Sequence, residues 1–179
     1  MSPLGCVTGR FQPVHDQHLE LFGLVLARCA HLVVAVTNPD TGARHPEAAA
    51  PHRHTAQANP FTYYERARLL DAALAGAGLR DRATVVPFDL TRPHLWHQYV
   101  PVHARQFVRV HGPWERTKAA WLAGAGYAVT VFDGDPATRV AATDLRALLA
   151  GDGWRHAVPA ATVPVLDDLL AARPMRERG

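Results

Sequence analysis

The chain has 179 residues, 48% of them hydrophobic and 20% charged, with a net charge of +3. A chain of this size buries roughly 70% of its unfolded surface and needs no disulfide or metal staple to fold. The small positive balance argues against a broad basic face for nucleic acid and suits a local site for a phosphorylated small molecule. The two cysteines, Cys6 and Cys29, fall in apolar runs and read as buried free thiols. The first ten residues lack the basic and apolar regions of a signal peptide. The apolar run 19–36 is broken by Glu20, Arg28 and His31 and is not a membrane span. A cytoplasmic location is expected.

Leu4 to Thr8 is predicted as a short buried strand, ended by Gly9. Residues 15–29 are predicted as a helix, with Phe22, Val25, Leu26 and Cys29 at i, i+3, i+4 and i+7. A second strand covers 31–36. Residues 37–60 are polar and Pro-rich, without apolar period, and a loop of that length is usually functional. Thr62 opens the next helix with the capping-box sequence TYYE, and Gly76 or Gly78 closes it. Strands follow at 83–88, 107–110 and 128–132, with a helix at 114–123 between the last two. Helical patterns return at 143–150 and 162–172, the last with Pro164 near its start.

Strands that alternate with helices predict an α/β fold, a doubly wound, Rossmann-like parallel sheet of five strands. One domain is expected, with residues 1–139 as its core and 140–179 as a small helical C-terminal segment. Ligands in such sheets bind where the loops after the strands gather.

The stretch GRFQPVHDQH, residues 9–18, links the first strand to the first helix. A helix start presents unpaired N–H groups and seats phosphate. His15 and His18 fall on one face of its first turn. Arg10 can grip phosphate oxygens with two parallel bonds, Gly9 allows close approach to the backbone, and Pro13 stiffens the loop. The arrangement reads as a polyphosphate cradle. Phosphoryl-type transfer needs mainly positioning and charge neutralisation. An attacking phosphate is already ionised near neutral pH, so no general base is required.

Here the sequence resembles a known family. GRFQPVHDQH is similar to the G-x-F-x-P-x-H-x-G-H signature of the nucleotidyltransferase superfamily. HTAQANPFTYYER (54–66) resembles the H-T-x-x-N-P-F-T-x-x-E-R run of archaeal-type nicotinamide-mononucleotide adenylyltransferases. FDLTRPHLWHQYV (88–100) and VAATDLRALLAGDGWRHAVP (140–159) resemble two further segments of that family, in order and at similar spacing. The resemblance implies that His15, His18, Arg10 and Arg146 handle the reacting phosphates. It implies that Gly9, Phe11, Gln12, Gln17, Gly112 and Thr143 contact the nucleotide. It places Asp89, Leu90, Trp96, His54, Asn59 and Arg66 toward the acceptor. It also implies Mg²⁺ carried by the triphosphate, and self-assembly into a homo-oligomer.

The pattern is broken in places. Gln17 replaces the motif glycine, Ala141 and Ala142 stand where the family has Ser and Gly, and HGPW at 111–114 replaces a Gly-Asn-Pro turn. These changes leave the reaction class and open the substrates. The lead reading is adenylyl transfer to nicotinamide mononucleotide or a close relative. A CTP-dependent phosphonate cytidylyltransferase, similar to those of natural-product pathways, is the alternative. A nucleotide-binding module without turnover is the third. Either way the partners are a nucleoside triphosphate (ATP or CTP) and a small phosphate or phosphonate acceptor, with no nucleic acid and no membrane.

Single residues also carry two readings. Trp96 can pack in the core or stack on a ring; Asp89 can form a turn or bind the acceptor. His45, His52 and His54 match no zinc spacing. Lys118, Arg116 and Arg109 read as a solvated helix face, with a basic patch as the alternative.

Overall fold

The computed structural model describes residues 2–46, 48 and 53–173. The five strands are β1 (Ser2–Gly9), β2 (Cys29–Thr37), β3 (Ala83–Phe88), β4 (Arg105–Val110) and β5 (Val129–Asp133). All pair in parallel, in the order β3-β2-β1-β4-β5. Two apolar layers sandwich the sheet. On one side lie α1 (Asp16–Leu26), α2 (Tyr63–Gly76), α5 (Ala142–Leu148) and α6 (Val163–Ala171). They contribute Phe22, Leu69, Leu70, Leu145 and Leu166 to one cluster, together with Trp154. On the other side α3 (Trp96–Tyr99) and α4 (Pro113–Gly124) bring Trp96, Ala119 and Leu122 against Phe88 and Val108.

The expected α/β fold is therefore present, with strand ends within about two residues of those read from periodicity. The short helix α3 is an addition. It follows a single turn that begins at Pro93, and four helical residues leave too little period to detect. The capping box of α2 forms as read: Thr62 N donates to Glu65 Oε2 at 2.7 Å, and Glu65 N to Thr62 Oγ1 at 3.3 Å. The C-terminal segment docks on this helix, where Gly76 meets Ala161 so closely that a β-carbon would collide.

The strand order reverses between β1 and β4, so the chain leaves these neighbours toward opposite faces. A crevice opens beyond their carboxyl ends, and both segments resembling phosphate-binding motifs converge there. No helix among the described residues is long and apolar enough to cross a membrane.

Candidate active site

Two cavities lie at the carboxyl edge of the sheet. The smaller, of about 170 Å³, sits at the reversal point and is walled by residues of the β1–α1 loop, β4, α4 and the segment before α5. The larger, of about 890 Å³, lies beside it toward β2 and β3.

The smaller cavity holds the first motif. His15 caps α1 and is 7% exposed. Its ring stacks on that of His18 with centroids 3.7 Å apart. Burial pushes His15 down to about 4 and His18 well below its ordinary range, so both rings are neutral at pH 7. The His15 backbone N–H donates to His18 Nδ1 at 3.2 Å, which puts the His18 proton on Nε2. His15 Nδ1 is buried and has no partner. The pair thus offers neutral imidazole donors to an anion.

Cations surround the pair. Arg10 Nη1 donates to the carbonyls of Ala58 (3.1 Å) and Arg53 (3.3 Å). Burial, with Arg53, Arg146 and Arg66 nearby, pushes its guanidinium down to about 8. Lys118 does not belong to a solvated face. Its ammonium turns inward and donates to Thr8 O at 2.9 Å, and burial beside Arg53 pushes it down to about 8. Arg109 forms a two-point pair with Glu20, both contacts at 3.1 Å. Arg116 remains exposed as expected. The anionic counterweight within the cavity is Glu115. Its Oε1 accepts from Arg139 at 3.1 Å, while its Oε2 is buried without a partner. Buried positive charge of this density is costly unless an anion is bound.

Arg53 was invisible in the sequence, lost in a Pro-rich loop. The structure places it in the walls of both cavities. Its guanidinium lies over the Trp114 ring at 4.8 Å. Its carbonyl accepts from Asn59 Nδ2 at 2.7 Å as well as from Arg10. Burial pushes it down to about 10, and Glu115 opposes that fall.

Several predicted ligand contacts also bond or pack within the protein itself, and of these Gly9, Phe11 and Gln12 wall the smaller cavity. Gln12 spends its amide on the backbone of Phe61, donating to the carbonyl and accepting from the N–H, each at 2.9 Å. Phe11 is buried with its ring edge-on to His18 at 4.8 Å, holding the imidazole in place. The Phe11 ring also fills the space a side chain at Gly9 would need, so packing alone already demands that glycine at the cavity wall. Arg66 is fully buried and binds the carbonyls of Arg10, Thr37, Asn38 and Thr62, tying the ends of β1 and β2 together. Asn59 is buried too and holds Arg53 and Thr55 through their carbonyls. Asp89 forms a turn, accepting from Thr91 N and Oγ1 at 2.8 and 2.6 Å. Neither Arg66, Asn59 nor Asp89 walls the larger cavity.

Trp96 and Leu90 do wall it. Trp96 is also a core residue, 3% exposed, its ring tilted against Phe88 and donating Nε1–H to Asp89 O at 2.7 Å. The ring thus packs in the core while one part of it walls the larger cavity. His54 is half-buried and lies outside both walls, with Nδ1 buried and unpartnered. His45 walls the larger cavity, and His52 lies outside the described residues.

Arg146 arrives from the other end of the chain. Its Nη2 donates to Thr143 Oγ1 at 3.1 Å, and its Nη1 is buried without a partner. It lies beyond the walls of the smaller cavity but near enough to Arg10 and Arg53 to lower both. Gly112 is the N-cap of α4, next to the wall residues His111 and Trp114. Gln17 walls the smaller cavity while bonding to the backbone of Thr138 and Val140.

Comparison with known proteins fits this geometry. The cytidylyltransferase-like family model matches residues 6–145. The phosphonoformate cytidylyltransferase of Streptomyces viridochromogenes is 35% identical over 166 residues, covering 92% of this chain and 90% of that protein. The nicotinamide-nucleotide adenylyltransferase of Pyrococcus abyssi is 27% identical over 174 residues, covering 96% and 87%. Among solved structures, a bifunctional NMN adenylyltransferase/ADP ribose pyrophosphatase from Francisella tularensis shares the fold. Its TM-score is 0.66 at 15% identity, and the match spans 96% of this chain and 53% of that one. A second structure of that description, complexed with AMP and a manganese ion, has a TM-score of 0.64. The chain therefore belongs to the cytidylyltransferase-like family and is a nucleotidyltransferase.

Proposed function

We propose that this enzyme transfers a cytidylyl group from CTP to a compact phosphonate, releasing pyrophosphate. Arg53 carries the reading: one guanidinium walls both cavities. A triphosphate in the smaller cavity and an acceptor in the larger would meet there. The acceptor oxyanion attacks the α-phosphorus. A new P–O bond forms as the bond from that phosphorus to the β-bridging oxygen breaks, and the electron pair leaves with pyrophosphate. His18 Nε2–H and the His15 ring donate to the oxygens that gain charge; Lys118, Arg10 and Arg146 neutralise the chain. The acceptor is already ionised near neutral pH, so the low proton affinity of both imidazoles costs nothing. A divalent cation, Mg²⁺ brought by the triphosphate, would when bound supply screening of phosphate charge. Glu115, with its buried unpartnered Oε2, fits it best among the cavity walls.

Two observations favour a phosphonate. The relative that acts on one is 35% identical, against 27% for the adenylyltransferase from Pyrococcus abyssi. The described walls of the larger cavity also carry Arg53 and Arg92 and no carboxylate. A cationic pyridinium ring would meet two guanidiniums there; an anionic acceptor would be held. The second reading, adenylyl transfer to nicotinamide mononucleotide, draws support from the same cavity. Its about 890 Å³ and the indoles of Trp96, Trp114 and Trp121 suit a flat ring.

One screen separates them: pyrophosphate release with each of the four nucleoside triphosphates against nicotinamide mononucleotide, phosphonoformate and other small phosphonates. Turnover with CTP and a phosphonate is the expected result. Turnover with ATP and nicotinamide mononucleotide alone would establish the second reading, and no release with any pair would leave a binding module.

A further inference from the structure

Gln17 stands where the related motif has glycine, and both ends of its amide are engaged. Nε2 donates to Thr138 O at 2.6 Å, and Oε1 accepts from Val140 N at 2.9 Å. Donation to one residue and acceptance from the next but one copies the edge of a strand. The elements so joined lie more than 120 residues apart. The same segment is tied on its other side to α4, where Arg139 Nη2 donates to Glu115 Oε1 at 3.1 Å. It leads directly into α5, whose Leu145 N donates to Ala141 O at 3.2 Å. Thr143 and Arg146 follow on that helix. Arg139, Val140 and Ala142 all wall the smaller cavity.

We propose that Gln17 is a positioning residue, its amide latching residues 138–140 to the start of α1 and so holding Arg139 and Arg146 beside the phosphate cavity. A glycine there would leave the segment tied to α4 alone. Each binding event would then have to order it, at a cost in backbone entropy for every residue fixed. With the latch in place the second cationic arm is set before the triphosphate arrives. This residue also answers for the missing hydroxyl at Ala141. Order that a serine would supply locally at the α5 N-terminus is supplied from α1 instead.

The inference rests on the reading of Arg146 as a group that meets the triphosphate. Its test is a double-mutant cycle on pyrophosphate release, using Gln17→Ala and Arg146→Ala singly and together, with hydrogen exchange across 138–148. Gln17→Ala is expected to lower kcat by about ten- to a hundredfold and to speed exchange in 138–148, with little change in melting temperature. In the Arg146→Ala background the same substitution is expected to cost clearly less, the remainder being what the latch does through Arg139. Gln17→Glu, which still accepts from Val140 N but repels Thr138 O, is expected to fall between Gln17→Ala and wild type. Equal losses in both backgrounds would overturn the positioning role, as would unchanged exchange in 138–148. Full turnover in Arg146→Ala alone would overturn the phosphate assignment itself, and the two failures are distinguishable.

Discussion

Lys118→Met should make the ligand-free protein more stable and the enzyme far slower. Burial beside Arg53 pushes the Lys118 ammonium from an ordinary 10.5 to about 8. At 1.36 kcal/mol per tenfold change in proton affinity, that fall corresponds to roughly 3 kcal/mol against the charged form. At pH 7 the folded and unfolded chains both hold this proton, so the whole penalty is present. Methionine has a similar reach and no charge. It removes the penalty and also the bond to Thr8 O, which returns about 1.5–3 kcal/mol. The net gain is on the order of 1 kcal/mol, or about 2–4 °C in Tm for a chain of this length. The unfolded chain binds more protons than the folded one between pH 8 and 10.5. The wild type therefore regains stability over that window, and the variant's advantage shrinks. Turnover should fall by about 10²-fold, the scale of losing one preorganised charge-stabilising donor. Differential scanning fluorimetry across pH 7–10.5 and a pyrophosphate assay measure both. A lower Tm for the ligand-free variant at pH 7, or a normal rate, would refute the idea that Lys118 is held at a cost for a polyanion.

The histidine pair gives a pH dependence of the same sign, in an acid window. His15 falls from an ordinary 6.5 to about 4 by burial, so the unfolded state binds more protons between these values. Stability should drop by about 3 kcal/mol as pH falls from 6.5 to 4. His15→Gln should flatten part of that slope in urea titrations, and an unchanged slope would mean the ring is not the group responsible. Arg53→Ala should lower kcat/KM for nucleotide and for acceptor alike, by about 10²-fold. A change confined to one substrate would show that the residue serves one cavity.

Legibility in the sequence followed the range of the interactions. The grouping of Arg10, His15 and His18 at one cavity was readable because the two histidines share a helix turn and lie five and eight residues from Arg10. The strands were readable because a parallel sheet covered on both faces is made of continuous apolar runs. The internal bonds of Gln12, Asn59 and Arg66 were not legible, because in sequence these are simply polar residues in motif blocks. In space they satisfy carbonyls and N–H groups of the chain itself, as far as 56 residues away. That accounting of buried backbone groups has no local signature. The inward turn of Lys118 escaped for a related reason: periodicity assigns a helix face, but α4 walls the cavity with Glu115 and Lys118. Arg53 had no pattern to reveal it, since a loop places a side chain through its tertiary bonds.

The shared wall at Arg53 has a consequence for inhibition. A molecule that carries anions at both ends, long enough to lie in the two chambers together, would keep every contact its halves make separately and surrender its overall motion once. The product of the proposed reaction would span both chambers too, with its new phosphorus–oxygen linkage against that guanidinium. Slow product departure would then set the pace of the cycle, and stable mimics of the linked product should bind more tightly than either substrate.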